Sequence, residues 1–128
     1  MSKKIMSKNY ISFKEDDSVR YVLDSLTANG VNGAPILNNE KRLVGIIVKA
    51  DVFRFLIEDG HFDTCPIEWV MTKKVITAGE YEDDLEIVKR VRESNIAAIP
   101  IIDEDDHVIG MATLESIIDA FLENNYVI

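Results

Sequence analysis

Apolar positions along the chain follow a helical rhythm and then a strand rhythm, and the sequence runs through that series twice. Val19, Val22, Leu23 and Leu26 fall at helical spacing behind Asp16-Asp17-Ser18, whose carboxylates and hydroxyl can cap free helix N–H groups. Asn29-Gly30 reads as the stop of that helix. Ile87, Val88 and Val91 repeat the stripe behind Glu82-Asp83-Asp84, with Ser94-Asn95 as the stop. A short strand is expected before each helix, at Tyr10 to Phe13 and at Val75 to Ala78. A strand pair is expected after each. Pro35 to Leu37 and Leu43 to Val48 flank the polar turn Asn38-Asn39-Glu40-Lys41, while Ile99 to Ile102 and Val108 to Ala112 flank Asp103-Glu104-Asp105-Asp106. A closing helix carries Val52, Phe53 and Leu56, matched by Ile117, Ile118 and Phe121.

The two series are one pattern at a constant offset of 65 residues. Met6-Ser7-Lys8 answers Met71-Thr72-Lys73, Ala34-Pro35-Ile36-Leu37 answers Ile99-Pro100-Ile101-Ile102, and Leu43-Val44-Gly45-Ile46 answers Val108-Ile109-Gly110-Met111. The expected fold class is α/β (α+β): two β-α-β-β-α repeats, residues 1–58 and 68–128, joined by a linker over 59–67. A unit of about 60 residues is marginal alone, so the repeats are expected to share a core about a pseudo-two-fold axis, with two equivalent clefts. Trp69 and Met71 are expected to pack the linker onto the second repeat; Met6 and Met71 are alternatively placed to border the clefts.

Composition narrows the classes. With 47% apolar and 29% charged residues and only 6 Gly and 3 Pro, the chain is globular and neither disordered nor fibrous. One cysteine, Cys65, excludes a disulfide framework within the chain and fits a reducing compartment. No apolar run approaches the roughly 20 residues that span a bilayer, and Met1-Ser2-Lys3-Lys4-Ile5-Met6 lacks the apolar stretch of a secretory signal. The expected location is the cytoplasm, away from membrane. Fourteen basic against 23 acidic residues give a net charge of −9, and the basic residues scatter. That excludes nucleic acid as the main partner, yet is compatible with a small anion held by local donors.

Catalytic and metal-binding patterns are thin. His61-Phe62-Asp63-Thr64-Cys65 contains three ligand types but no second cluster at zinc spacing, and no orienting partner for a thiol nucleophile. His107 and the acidic run Asp103 to Asp106 read as a solvated turn, since a calcium loop is longer and closes with a Glu. No acid, base and nucleophile come together, so the chain reads as a binding protein, not an enzyme, with no metal and no required cofactor.

The repeated strand-helix-hairpin-helix order, with a Pro early in the middle strand and a Gly opening an apolar stretch, resembles the CBS domain, named after cystathionine β-synthase. A tandem pair is a Bateman module. The resemblance implies a regulatory module that binds an adenosine-containing ligand such as AMP, ADP, ATP or S-adenosylmethionine in clefts between the repeats. It implies further a signal to a partner protein, and a homodimer formed through helices. The family's site signature is a Gly, two apolar residues, a Thr or Ser, two variable residues and an Asp. The carboxylate suits the two ribose hydroxyls, which donate to it, and the hydroxyl and helix N–H groups suit a phosphate.

Each copy here keeps half of that signature. Gly45-Ile46-Ile47-Val48-Lys49-Ala50-Asp51 has the acid without the hydroxyl, and Gly110-Met111-Ala112-Thr113-Leu114-Glu115-Ser116 has the hydroxyl without the acid. By resemblance the first slot is lined by Asp51, Lys49, Ser12, Asn32, Gly33, Ala34 and Pro35, and the second by Thr113, Ser116, Thr77, Ala97, Ala98, Ile99 and Pro100. Lys49 is the nearest base for a phosphate. Asp51 and Thr113 also stand where a helix start uses such residues without any ligand. The split signature keeps a second reading open: a protein-interaction or scaffolding module whose nucleotide sites have decayed.

Overall fold

The computed structural model describes residues 4–124 and has a mixed α/β architecture of two three-stranded sheets and four helices. The first half runs β1 (Phe13–Lys14), α1 (Val19–Ala28), β2 (Gly33–Leu37), β3 (Leu43–Val48) and α2 (Lys49–Leu56). The second runs β4 (Ala78–Gly79), α3 (Asp84–Ser94), β5 (Ala98–Ile102), β6 (Val108–Thr113) and α4 (Leu114–Asn124), after a single 3-10 turn at Ile67–Trp69. The expected β-α-β-β-α order thus occurs twice. In each sheet the middle strand pairs parallel with a two-residue strand and antiparallel with its hairpin partner.

The first strands sit further along than the apolar pattern predicts, at Phe13–Lys14 and Ala78–Gly79 instead of Tyr10 to Phe13 and Val75 to Ala78. The register explains the shift. Phe13 lies opposite Ile36 and Ala78 opposite Ile101, so one more residue of pairing would set Ser12 against Pro35 and Thr77 against Pro100. A proline has no N–H to give a ladder, and pairing begins only beyond it.

Residues 11–75 form one compact unit, and residues 4–10 with 76–124 form the other. In the first, Val19, Val22 and Leu26 of α1 pack with Phe13, Ala34, Ile36, Ile47, Val52, Ile67 and Met71. The connection after α2 is fastened to the start of α1: Val19 N–H donates to Cys65 O at 2.8 Å and Arg20 N–H to Asp63 O at 2.8 Å. Ser18 Oγ accepts from Tyr21 N–H at 3.1 Å, so the donors a helix leaves open at its first turn are satisfied. Gly30, with φ +63°, ends α1 in the left-handed region as its sequence predicts.

Met71 therefore packs into the first unit, contrary to the expectation that it ties the linker to the second repeat, and Trp69 is 65% exposed. Gly45 is the reason. A Cβ there would stand 2.5 Å from Met71 Sδ, so the bare backbone is what admits the methionine. Thr72 and Ile46 exchange backbone hydrogen bonds at 2.9 and 3.0 Å beside it.

The second unit repeats this device with the segment at residues 4–10. Ile5 is buried with Ala78, Ile87, Val91, Ile99, Ile101, Ala112, Ile117 and Ala120. Met6 lies over Gly110, where a Cβ would overlap it, and Ser7 exchanges backbone hydrogen bonds with Met111 at 2.8 and 2.9 Å. Tyr10 donates its hydroxyl to Val108 O at 2.7 Å. The helix starts differ between copies: Ser18 caps α1, whereas Asp83 makes no side-chain cap bond at α3. Glu82 instead accepts from Gly79 N–H at 2.7 Å and forms a two-pronged pair with Arg90. Phe53 and Ile118 face outward, not inward with their stripes. The buried positions are Val52 on α2, and Ile117 with Ala120 on α4, and the next residue along is rotated about 100° off that face.

Candidate functional site

The first candidate site grows from the junction of β3 and α2. Gly33 pairs with Val48 at the open end of the hairpin, and Lys49 N–H donates to Asn32 O at 2.7 Å, so the chain turns from strand into helix against the residue before β2. Val48 occupies the N-cap without a side-chain hydrogen bond. A hydroxyl is thus missing where the helix itself would use one. Asp51 stands in the first turn, where its charge complements the helix dipole. Ala34 and Pro35 are buried in β2, Asn32 and Ser12 are exposed, and Lys49 is half-buried. Asn32, Gly33, Val48, Lys49 and Asp51 thus gather at one hairpin end, while Ser12 lies one residue before β1, outside the ladder.

Asp51 pairs with Arg54, one helical turn on, which the sequence reading passed over. The i, i+3 spacing of an acid and a base on a helix is the signal that would have found it. The Arg54 side chain is 69% exposed and that of Asp51 27%. With the arginine end in solvent, the pair contributes about 1 kcal/mol or less, and it engages one carboxylate oxygen. Further donors can therefore bond the carboxylate beside its arginine or in its place. Arg54 then remains beside it as a base for an anion.

At the equivalent junction in the second unit the polar groups are engaged with each other. Ala98 pairs with Thr113, and Leu114 N–H donates to Ala97 O at 3.1 Å. Thr113 Oγ1 accepts from Ser116 N–H at 2.9 Å, and Ser116 Oγ accepts from Thr113 N–H at 2.8 Å. This is a reciprocal capping box, with each hydroxyl satisfying the other residue's backbone donor. Ser116 also donates to Ile5 O at 2.6 Å. Ile99 and Pro100 are buried in β5, and the Thr77 carbonyl accepts from Arg90 at 2.9 Å.

Each unit also carries a cleft at the opposite end of its middle strand. One, of about 470 Å³, is bordered by Lys14, Glu15, Asp16, Asn38, Asn39 and Glu68. Its counterpart, of about 430 Å³, is bordered by Glu80, Glu82, Asp103 and Glu104, and by Thr77 alone of the sequence-predicted residues. The size suits a small molecule, and Leu37 and Pro66 or Tyr81 and Ile102 add apolar surface, but the carboxylates of Glu80, Glu82, Asp103 and Glu104 at the second cleft, and of Glu15, Asp16 and Glu68 at the first, oppose a phosphate. The hairpin end at Asp51 is the better candidate.

The residues of the connection do structural work. His61 stacks on Phe55 with ring centroids 4.0 Å apart and approaches Phe55 O at 2.8 Å, Asp63 pairs with Arg20, and Cys65 is half-buried. Asp103, Asp105 and His107 bring one potential ligand atom each to within 4.8 Å of one another. The turn accounts for that proximity. Asp103 Oδ1 accepts from Asp105 N–H at 2.9 Å and His107 N–H at 3.0 Å, as Asn38 Oδ1 does from Glu40 and Arg42 in the first unit. The His107 N–H, followed by the Asp105 N–H, holds the Asp103 carboxyl below the usual carboxylate range against an opposing desolvation. Among the described residues no helix is long and apolar enough to cross a membrane.

Comparison with known proteins agrees with this architecture. The sequence profile of the CBS domain matches residues 3–58 and 67–123. The chain is 31% identical over 113 residues to homoserine O-acetyltransferase of Methanococcus vannielii, covering 88% of this chain and 23% of that protein. It is 32% identical over 114 residues to inosine-5'-monophosphate dehydrogenase of Methanocaldococcus jannaschii, covering 89% and 22%. The chain thus spans less than a quarter of the length of these relatives. The CBS domain pair of protein MJ0100, solved in complex with 5'-methylthioadenosine and S-adenosyl-L-methionine, superposes with a TM-score of 0.83 at 30% identity over 94% of both chains.

Proposed function

The chain belongs to the CBS domain family and carries two copies of the domain, and from that premise we propose that it is a regulatory module binding an adenosine-containing ligand through Asp51. The observation that carries this reading is the Asp51 carboxylate, three-quarters buried on the first turn of α2 and paired, among the described residues, with a largely exposed arginine. Ribose hydroxyls donate to that carboxylate, Gly33 admits a flat base to the backbone, and Lys49 with Arg54 answers a phosphate or a carboxylate tail. Ligand binding favours one arrangement of the module, which a partner protein senses; no step of bond chemistry is needed. Phe53 and Ile57 on and after α2, with Leu114, Ile118 and Leu122 on α4, are exposed apolar side chains that suit pairing of two copies into a homodimer. The setting is the cytoplasm, where adenine nucleotides and S-adenosylmethionine are abundant.

A thermal-shift series with AMP, ADP, ATP, S-adenosylmethionine and NAD tests the reading, with Asp51→Ala beside the native chain. A ligand at 100 times its Kd adds about 2.7 kcal/mol, several degrees of Tm for a domain of this size. Removal of the Asp51–Arg54 pair itself costs only about 0.5 kcal/mol, so the variant folds. A shift present in the native chain and lost in the variant upholds the proposal. No shift with any of the five, in protein free of bound nucleotide, replaces it with an interaction or scaffolding module. The engaged hydroxyls of Thr113 and Ser116 are the observation that favours this second reading.

A further inference from the structure

Asp51 and Ser116 occupy the same place in the two repeats, 65 positions apart, and differ in hydrogen-bonding capacity. An ionised carboxylate only accepts; a hydroxyl also donates. Ser116 uses both capacities, accepting from Thr113 N–H at 2.8 Å and donating to the carbonyl of Ile5 at 2.6 Å. Ile5 belongs to the segment at residues 4–10, which lies along the second unit through a short series of contacts. Lys4 N–H donates to Asp84 Oδ2 at 3.0 Å, Ile5 is 4% exposed, Met6 fills the space above Gly110, and Ser7 pairs with Met111. The Ser116 hydroxyl bonds α4 to that segment, with Ile5 O nearer at 2.6 Å than its other acceptor, Thr113 O, at 3.1 Å. At the first junction the corresponding carboxylate cannot donate to a backbone carbonyl, and it turns to Arg54 instead.

We propose that Ser116 is a latch for the segment at residues 4–10, so that the second junction is closed to ligand and the chain takes a single adenosine-containing molecule, at Asp51. The stoichiometry rests on the function proposed above; the latch does not. With the Ser116 hydroxyl spent on Ile5 O and the Thr113 amide, and Thr113 Oγ1 accepting from the helix, a ribose arriving at this junction must displace the segment before it gains a bond. The segment and a second ligand therefore exclude one another.

Amide hydrogen exchange at Ser7 and Met111 tests the latch in the full chain, and calorimetric titration with AMP and with S-adenosylmethionine tests the stoichiometry. Ser116→Ala and Ser116→Asp, neither of which donates from the ionised or truncated side chain, are expected to speed exchange at both amides about five- to tenfold. Ser116→Thr keeps the hydroxyl and is expected to stay within about twofold of the native chain. Unchanged exchange in all three variants overturns the latch, as does a Thr variant as fast as the Ala variant. In the titrations, one equivalent per chain, lost in Asp51→Ala, upholds the single site, and two equivalents overturn it. Absence of binding by both probes, and by ADP, ATP and NAD in the thermal-shift series, defeats the function proposed above and with it the single site, while the exchange rates still decide the latch.

Discussion

Gly110 and Met6 are 104 positions apart in sequence, and the fold makes each a condition of the other. A methyl group placed on Gly110 would overlap Met6 Cγ and Sδ and stand 3.1 Å from Ser7 O. The methionine tip can swing, but the Ser7 carbonyl is held by the bond it accepts from Met111 N–H, beside the one Ser7 N–H donates to Met111 O. Gly110→Ala is therefore expected to destabilise the chain by about 1–3 kcal/mol through overpacking. Met6 is half-buried, so Met6→Ala is expected to cost about 1–2 kcal/mol, below the range for a fully buried methionine. In the double variant the alanine methyl occupies room that the methionine has vacated. Its cost is then smaller than the sum of the two by at least about 1 kcal/mol, well outside the roughly 0.5 kcal/mol within which independent sites add. Urea unfolding measures all three. With m near 1–3 kcal/mol per molar, a 2 kcal/mol change moves the midpoint by about 1 M. Additive costs at constant m would refute the contact, and with it the placement of residues 4–10 on the second unit.

Two further outcomes follow from single groups. The Asp103 carboxyl is held below its usual range, so the stability it contributes is complete above the ordinary aspartate pKa and is lost as pH falls through the lowered value; Asp103→Asn, the residue the first repeat uses at Asn38, is expected to leave stability at neutral pH unchanged and flatten the acid limb of a Tm-against-pH profile. Ser18→Ala removes the cap bond to Tyr21 N–H and is expected to cost about 1 kcal/mol in thermal unfolding, whereas Asp83→Ala at the equivalent position, which breaks no cap bond, costs less than half of that.

Most of the architecture is legible in the sequence because period and punctuation agree there. Val19, Val22 and Leu26 mark a buried helical face, Asn29-Gly30 stops it, and the strand β3 at Leu43–Val48 coincides with its apolar run. The misplacements of the first strands and of Met71 share one cause: they concern pairings distant in sequence. Nothing local in Tyr10 to Phe13 says that the strand must wait until Phe13; only the proline across the ladder does. Nothing local in Met71 says which repeat it joins, because the hole it fills is the missing side chain of Gly45. The offset of 65 showed that both methionines and both glycines recur, but a repeat is silent on which methionine meets which glycine.

The site divides along the same line. The spacing from Gly45 to Asp51 and from Gly110 to Ser116 located both junctions, since the hairpin and the helix start that build them are local features. What each junction does with its polar group is a long-range matter. Duplication gave two copies of one strand-to-helix turn, and each turn needs its first-turn amides satisfied or its dipole complemented. One copy meets that need with a charge, which leaves a carboxylate that an exposed arginine holds weakly. The other meets it with two hydroxyls, one of which is then free to donate to a neighbouring chain segment. The two halves of the split signature are thus two solutions to one helix start: an acid paired with Arg54 in one copy, the group on which the proposed ligand site rests, and in the other the reciprocal pair Thr113–Ser116, whose serine also bonds Ile5 O.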